Sequence, residues 1–434
     1  MPRRNVYVLL VVTLAGLICA AKVSRYGRQM SYAMEQIRLL SLEPLTEEQV
    51  FEGALQGMMS RLDDYSVYIS PQELSRFQEE LEGEFGGVGI EMLLDQETKD
   101  LVVVSPLQNS PALKAGIRTG DKIVRIDGKS TQGLSLEDAR ERMRGQPGEP
   151  VKLGVLHLGE TEPVDVEIIR AVIQVDTVVG DTRNPDGSWN FFLEGADRIG
   201  YVRIESFAYR TDEELERALK WLVQHQLRGL ILDMRNNPGG RLDSAINICD
   251  LFIEPDGADR GEIVSTRGRD GQTLGVEYAT PGAYRGFPMA VLVNQLSASA
   301  SEIVAACLQD HRRAVVAGQR SYGKGTIQQI LDLEPGMGQL KLTTASYWRP
   351  SGRNIHRTRD AKESDPWGVS PDKGLEVKLD DKQLAELAQW RLDRYGLLRN
   401  NGRSGPNDYH RDPQLTRAVE YLDKIASKPA SKKP

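Results

Sequence analysis

Residues 229–234, Met289–Val293 and 314–317 are near-continuous apolar runs with no polar alternation. A run of that kind is expected of a strand covered on both faces, and such strands belong to parallel sheets with helices above and below. The first run empties into Arg235-Asn236-Asn237-Pro238-Gly239-Gly240, after which a helical pattern resumes through Ile246, Leu251 and Phe252. The second leads directly to Ser299. An earlier strand is expected over residues 201–207, then a helix that starts on a Thr211–Glu214 capping box and reaches Gln226, with Gly229 past its end. Strands that feed helix-opening loops make a layered α/β domain, whose ligands gather at the carboxyl ends of the strands. Gly239, Ser299 and Lys324 all fall just after such strands or in the loops beyond them.

Two short motifs in those loops carry chemistry. Ser299-Ala300-Ser301-Glu302 places a hydroxyl at a helix start, and Gly323-Lys324-Gly325 follows with its lysine 25 positions after Ser299. The plain reading of Ser-x-x-Glu is a capping box. The chemical reading is a serine nucleophile with a lysine base. A serine hydroxyl is a poor nucleophile until a neighbour removes its proton. Lysine can do so only when neutral, and its reference pKa of about 10.4 must be lowered by burial. The glycine flanks, with Ile327 and Ile330 nearby, favour close packing of Lys324. A helix opening near Ser301 would direct its positive end at an oxyanion, with the N–H of Ala300 and one from Gly239-Gly240 as natural donors.

Composition removes several alternatives. Formal net charge is −7, which gives no electrostatic footprint for nucleic acid. The five histidines are scattered, with no pair at the spacing of a zinc site on a helix, so no metal and no cofactor are expected. Cys249 and Cys307 sit in apolar surroundings, as small core residues do. Arg3-Arg4 followed by apolar residues 6–21 reads as an export leader or an N-terminal membrane anchor. The catalytic mass is then expected outside the cytoplasmic membrane, in a periplasmic or similar space.

Between leader and α/β domain lie two further regions. Residues 30–84 read as helical: a capping-box start at Thr46–Gln49 is followed by an apolar face of Val50, Leu55, Met58, Met59 and Leu62, and a second helix runs from Pro71 to about Leu81. Residues 85–172 read as β-rich, with strands at Ile90–Leu94, 101–104, Lys122–Ile126 and 151–156 and a Ser135-capped helix ending at Gly145. The string Ser110-Pro111-Ala112 … Ala115-Gly116-Ile117 … Gly120-Asp121, closed by Asp127-Gly128, resembles a PDZ domain. In such domains a peptide adds as a strand to a sheet edge while loop N–H groups hold its terminal carboxylate. The matching loop is Gly87-Val88-Gly89-Ile90, where glycines let the backbone curl towards an anion and the apolar pair suits a hydrophobic terminal residue.

Taken in order, the PDZ-like segment, Arg235–Gly240, Ser299–Glu302 and Gly323–Gly325 resemble the carboxyl-terminal processing peptidases over roughly residues 35–380. The resemblance implies a multidomain α/β fold: a PDZ-like domain, a crotonase/ClpP-like Ser–Lys protease core over 173–380, and a helical C-terminal segment with a disordered tail over 381–434. It implies Ser299 as nucleophile, Lys324 as base, Gln328 as the group orienting the lysine amine, and Ala300 with Gly240 as oxyanion donors, Gly239 being the alternative. Glu302 has a supporting role in some members, and capping is the role expected of it here. Arg144, near the PDZ helix end, matches a position that senses bound peptide in some members. Tyr347-Trp348-Arg349-Pro350-Ser351-Gly352-Arg353 departs from the family string at Arg349, and a polar stretch over 357–366 delays the Gly368-Val369-Ser370-Pro371-Asp372 that usually follows soon after. Expected partners are polypeptides with apolar C-termini, a membrane through residues 6–21, and a second copy or an adaptor; the C-terminal helices are expected to pack locally, dimer contacts being the alternative. A non-catalytic PDZ scaffold on the same fold is the alternative reading.

Overall fold

The computed structural model describes residues 24–426 apart from 96–97, 108, 185–186, 256–260 and 395–407. The leader, the Asn/Gly/Ser linker after Tyr395 and the Lys/Ser/Pro tail lie outside the described residues. Among those described, no helix is long and apolar enough to cross a membrane. The chain forms two compact units, residues up to Leu74 with Gln328–Thr343, and Ser75–Ile327 with Thr344 onward.

In the first unit, helix Glu47–Met59 starts on the expected capping box: Gln49 N–H donates to Thr46 Oγ1 (3.1 Å) and Thr46 N–H to Gln49 Oε1 (2.9 Å). It buries only Val50 and Leu55, whereas Met58 and Leu62 are exposed, so the apolar face is narrower than the periodicity implied. Strand Val67–Ile69 pairs antiparallel with residues 339–341. Asp63 holds the preceding turn by accepting from Tyr65 N, Ser66 N and Thr343 Oγ1.

The second unit contains the β-rich segment and the layered α/β segment. The main sheet of the β-rich segment is antiparallel, with β1 (Ile90–Leu94), β2 (Leu101–Pro106), β3 (Lys122–Ile126), β4 (Pro150–Leu156) and β5 (Val164–Ile169) hydrogen-bonded in that order and Lys129–Ser130 paired beside β3, while Glu84–Gly87 pairs separately with Ala171–Gln174. Helix α1 (Leu136–Met143) starts on Ser135, whose hydroxyl accepts from Asp138 N–H, and closes a core of Leu101, Val103, Ile123, Leu153 and Val155. Gly89 has φ +76°, and a Cβ there would sit 2.4 Å from Ser110 Cβ, so this loop requires a glycine.

The α/β segment is a five-stranded sheet in the order β6 (Val178–Val179), β7 (Ile199–Ile204), β8 (Gly229–Asp233), β9 (Met289–Val293) and β10 (Val315–Gly318). β7 to β10 are parallel and fully or almost fully buried, and β6 runs antiparallel to β7. Helices α2 (Thr211–Gln224), α3 (Leu242–Asp250) and α4 (Ala300–Asp310) cover one face, packing on Leu230, Leu232, Val291 and Val293, with Cys249 and Cys307 buried among them. Ile231, Ala290 and Leu292 point the other way, and α5 (Asp381–Arg394) and α6 (Pro413–Ala426) cover that face through Leu387, Trp390, Leu415, Val419 and Leu422.

Two expectations are corrected here. The strand expected over 201–207 is Ile199–Ile204, because the chain leaves the sheet to run beside Gly240 at Phe207. The capping box expected at Thr211–Glu214 does not form. Thr211 Oγ1 instead accepts from Ala208 N–H, and Glu214 accepts from the N–H groups of Thr177 and Val178, tying α2 to the segment that enters β6.

Candidate active site

β9 ends at Val293, and the turn to α4 carries Ser299 in a strained backbone, φ +55° and ψ −114°. A non-glycine residue in such a region costs about 1–3 kcal/mol and persists only where its surroundings enforce it. Several bonds do. Ser297 Oγ donates to Met234 O (2.8 Å), Ala298 N–H and Ser301 Oγ donate to Asn237 O (both 3.0 Å), and Ile303 N–H donates to Ser299 O (3.0 Å). The Ser299 hydroxyl makes no capping bond. Burial pushes the pKa of the Tyr347 phenol up to about 12, an effect that the Ser299 hydroxyl opposes. Nothing in the sequence singled out Tyr347 beyond its place at the head of the Tyr-Trp-Arg-Pro string.

Glu302 does more than cap. Fully buried, it accepts on Oε2 from the N–H groups of Ser299 (2.9 Å) and Lys324 (2.7 Å), and on Oε1 from Gly323 N–H (2.6 Å) and Ser321 Oγ (2.5 Å). Two motifs 25 positions apart therefore meet on one carboxylate oxygen. Burial raises the Glu302 pKa to about 7 even though all four donors act to lower it. Ser321, absent from the sequence-derived site, also accepts from Val369 N–H (2.7 Å), so the delayed Gly-Val-Ser-Pro-Asp string comes back to this cage.

The glycines beside Lys324 have a local cause. Gly323 accepts from Arg357 N–H and Gly325 from Tyr347 N–H, both at 2.8 Å. A Cβ on Gly325 would lie 2.3 Å from His356 N, and one on Gly323 would lie 2.7 Å from Arg357 Cβ. The lysine loop is thus pressed between two backbone segments. Ile327 packs on the core as expected, but Ile330 is exposed and does not shield the loop.

On the other side of Ser299 lies the turn that follows β8. Gly239 has φ +100°, and a Cβ there would meet Ser299 Cβ at 2.8 Å and Ala300 N at 3.0 Å. Its N–H is already taken by Asn237 Oδ1 (2.8 Å). Gly240 has φ +143°, and a Cβ there would lie 2.1 Å from Phe207 O. The bridge to Phe207 uses the Gly239 carbonyl and the Arg241 N–H, which turns the Gly240 N–H to the opposite side. In α4 the N–H groups of Ser301, Glu302 and Ile303 bond back to residues 298 and 299, leaving Ala300 with the first open N–H of the helix. Gln328 lies on strand Thr326–Asp332, in the other compact unit, and its amide donates to Thr343 Oγ1 at 3.2 Å.

The β-rich segment carries a groove of about 430 Å³ between β1 and α1, lined by Phe85, Val88, Ile90, Met92, Leu107 and Met143. Gly87 pairs with Ala171, Val88 is buried, and the carbonyls of Val88 and Gly89 accept from Ala112 and Leu107 N–H, which fixes the loop at one end of that groove. Arg144 stands on the groove wall, 3.5 Å from Glu79 and with its guanidinium 5.0 Å from the centre of the Phe85 ring.

Comparison with known proteins agrees with this layout. A family model described as peptidase family S41 matches residues 198–373, and a PDZ domain model matches residues 102–156. The chain is 37% identical over 353 residues to a carboxy-terminal-processing protease of Bartonella bacilliformis, covering 80% of this chain and 74% of that one. It is 33% identical over 326 residues to the carboxy-terminal processing protease CtpB of Bacillus subtilis, covering 75% of this chain and 64% of that one. A solved structure of a putative S41 protease from Bacteroides fragilis superposes with a TM-score of 0.51 at 16% identity, covering 91% of this chain and 97% of that chain, and speaks for the fold alone.

Proposed function

The chain belongs to the carboxy-terminal processing proteases of peptidase family S41, a serine-type peptidase with a PDZ domain, and on that footing we propose that Ser299 and Lys324 cleave polypeptides whose C-termini are held in the PDZ groove. The observation that carries this reading is the single Glu302 oxygen on which both motif backbones converge. A non-catalytic scaffold would have no use for a strained serine, a glycine-clamped lysine loop and a buried carboxylate joining them.

The chemistry follows from the residues. The neutral Lys324 amine takes the Ser299 proton as Oγ attacks the scissile carbonyl, and the Ala300 and Gly240 N–H groups receive the oxyanion. Collapse of the tetrahedral intermediate breaks the C–N bond. The lysine ammonium returns its proton to the leaving amine, and the downstream fragment departs. Water, deprotonated by the same amine, then attacks the acyl-enzyme ester, and as the ester C–O bond breaks the lysine ammonium returns the proton to Ser299 Oγ. Donors placed where charge develops contribute about 10²–10³ in kcat each. Gln328 is assigned the task of orienting the lysine amine, and the loop 87–90 that of receiving the substrate carboxylate. The leader directs export and supplies any membrane attachment, and a second copy or an adaptor engages the folded chain; cell fractionation and sedimentation test these two assignments.

The deciding experiment compares the wild type with Ser299→Ala and Lys324→Ala on an unfolded substrate with an apolar C-terminus. Both variants should lose turnover by at least about 10³-fold while still binding the tail. Cleavage at the wild-type rate by either one removes the dyad.

A further inference from the structure

We propose that the C-terminal helices hold the oxyanion turn in register, with Asp412 and Gln414 as positioning residues that act through Arg235. This rests on the reading of Ser299 as nucleophile and of the turn after β8 as an oxyanion donor.

Arg235 opens that turn, two residues beyond the end of β8, and is among the largest fully buried side chains of the protein. A guanidinium in such a place is unfavourable unless every donor is met, and an apolar residue would serve simple packing better. Every donor is met. Nε donates to Asp233 Oδ1 (2.9 Å), Nη1 to Asp412 Oδ1 (3.0 Å) and Gln414 Oε1 (2.9 Å), and Nη2 to Asp233 Oδ2 (2.6 Å) and Asp412 Oδ2 (2.7 Å). A guanidinium has five N–H groups in a rigid plane, so this set of acceptors allows one orientation.

The acceptors are themselves fixed. Asp412 is wholly buried and caps α6, receiving the N–H groups of Gln414 and Leu415 on Oδ1 (both 3.1 Å). The Gln414 amide donates its other end to Val377 O (2.8 Å), which aims its oxygen at Arg235. Tyr201 Oη donates to Asp233 Oδ2 (2.7 Å), and Arg391 of α5 approaches the same oxygen (3.3 Å), so two buried carboxylates face two buried guanidinium groups.

From this anchor the turn is laced to the nucleophile. Asn236 N–H donates to Asn294 Oδ1 (2.9 Å), and Asn237 O receives Ala298 N–H and Ser301 Oγ. Gly239 then abuts Ser299. A displacement of about 1 Å in such a site is enough to lower a rate about 10²-fold. The far face of the sheet thus reaches the chemistry through one side chain that crosses at the end of β8.

The test uses the full chain and three variants: Asp412→Asn, Gln414→Met and, as a control, Asp181→Asn. Asp181 is also buried and pairs with Arg394 of α5, and it is not among the acceptors of Arg235. Steady-state kinetics on the apolar-tailed substrate, labelling of Ser299 by a fluorophosphonate and thermal melts are recorded, with assays run well below each Tm. Asp412→Asn should lower kcat about 10–100-fold and slow labelling in proportion, with KM within about threefold. Gln414→Met, which removes both the acceptor for Arg235 and the bond to Val377 O, should lower kcat about 3–10-fold with KM unchanged, and it decides the matter where Asp412→Asn does not fold. Asp181→Asn should lose Tm and keep kcat within about twofold. Unchanged kcat in folded Asp412→Asn and in Gln414→Met, or equal losses in Asp412→Asn and Asp181→Asn, overturns the proposal. Turnover by Ser299→Ala would instead overturn the nucleophile assignment, so the two failures are distinguishable.

Discussion

Two glycine-bearing turns carry the two anion-receiving tasks proposed above, and they are held in different ways. The loop 87–90 is held by backbone bonds and apolar packing: carbonyl bonds to Leu107 and Ala112, the pairing of Gly87 with Ala171, a glycine against Ser110, and Val88 in the apolar core. The turn 235–240 is held by side chains far away in sequence, Asp412, Gln414, Asn294 and Ser301 among them. The difference matches the tasks. A tail receptor binds a ground-state carboxylate and tolerates small movement. An oxyanion donor must meet a transient charge at fixed distance, which calls for groups set in place before reaction.

The largest expected effect tests the second turn directly. Gly240→Ala would drive a Cβ into Phe207 O, so turnover should fall by about 10²–10³-fold while an apolar-tailed peptide still binds, as read by fluorescence anisotropy. Equal loss of binding would mean that the turns are not independent.

Next comes Glu302, whose folded pKa of about 7 stands above its ordinary 4.5. The folded state then holds the proton more tightly than the unfolded chain, so stability falls as pH rises from about 4.5 through 7, by about 3 kcal/mol in all. Turnover should move the other way, because a proton on Glu302 displaces one of its four donors and loosens the Ser299–Lys324 junction. Melts and kcat recorded between pH 5 and 8 check both slopes, and Glu302→Gln should abolish the stability slope.

The receptor loop should respond more modestly. Amidating the substrate C-terminus removes a charged acceptor worth about 1.5–3 kcal/mol, which should raise KM about 10–100-fold and leave kcat at saturation nearly unchanged. The smallest effect concerns Arg144: its pair with Glu79 is one-third exposed on each side, so Glu79→Gln should shift stability by less than about 1 kcal/mol in a denaturant melt. A larger shift would mark that contact as part of a coupled arrangement between groove and helix.

Much of the architecture was legible because it is written in short stretches. Apolar runs without alternation marked β8, β9 and β10, and Ser135 marked the start of α1. The errors arose where a local signal had a distant competitor. Thr211 and Glu214 have the spacing of a capping box, but their oxygens are claimed by the turn before α2 and by the approach to β6. Glu302 reads as a cap, and it is one, yet three of its four donors come from residues 321–324. Tyr347 and Ser321 escaped notice because neither lies in a motif whose chemistry is evident from spacing.

Residue order therefore specified which backbone pieces form and where the Ser299 and Lys324 motifs stand along the chain, since periodicity, turn glycines and motif spacing act within a few residues. Folding alone assigned the second partners of buried polar groups. A carboxylate or guanidinium withdrawn from water must find its hydrogen bonds wherever the packed chain offers them, and for Arg235 and Asp412 that meant a separation of 177 residues.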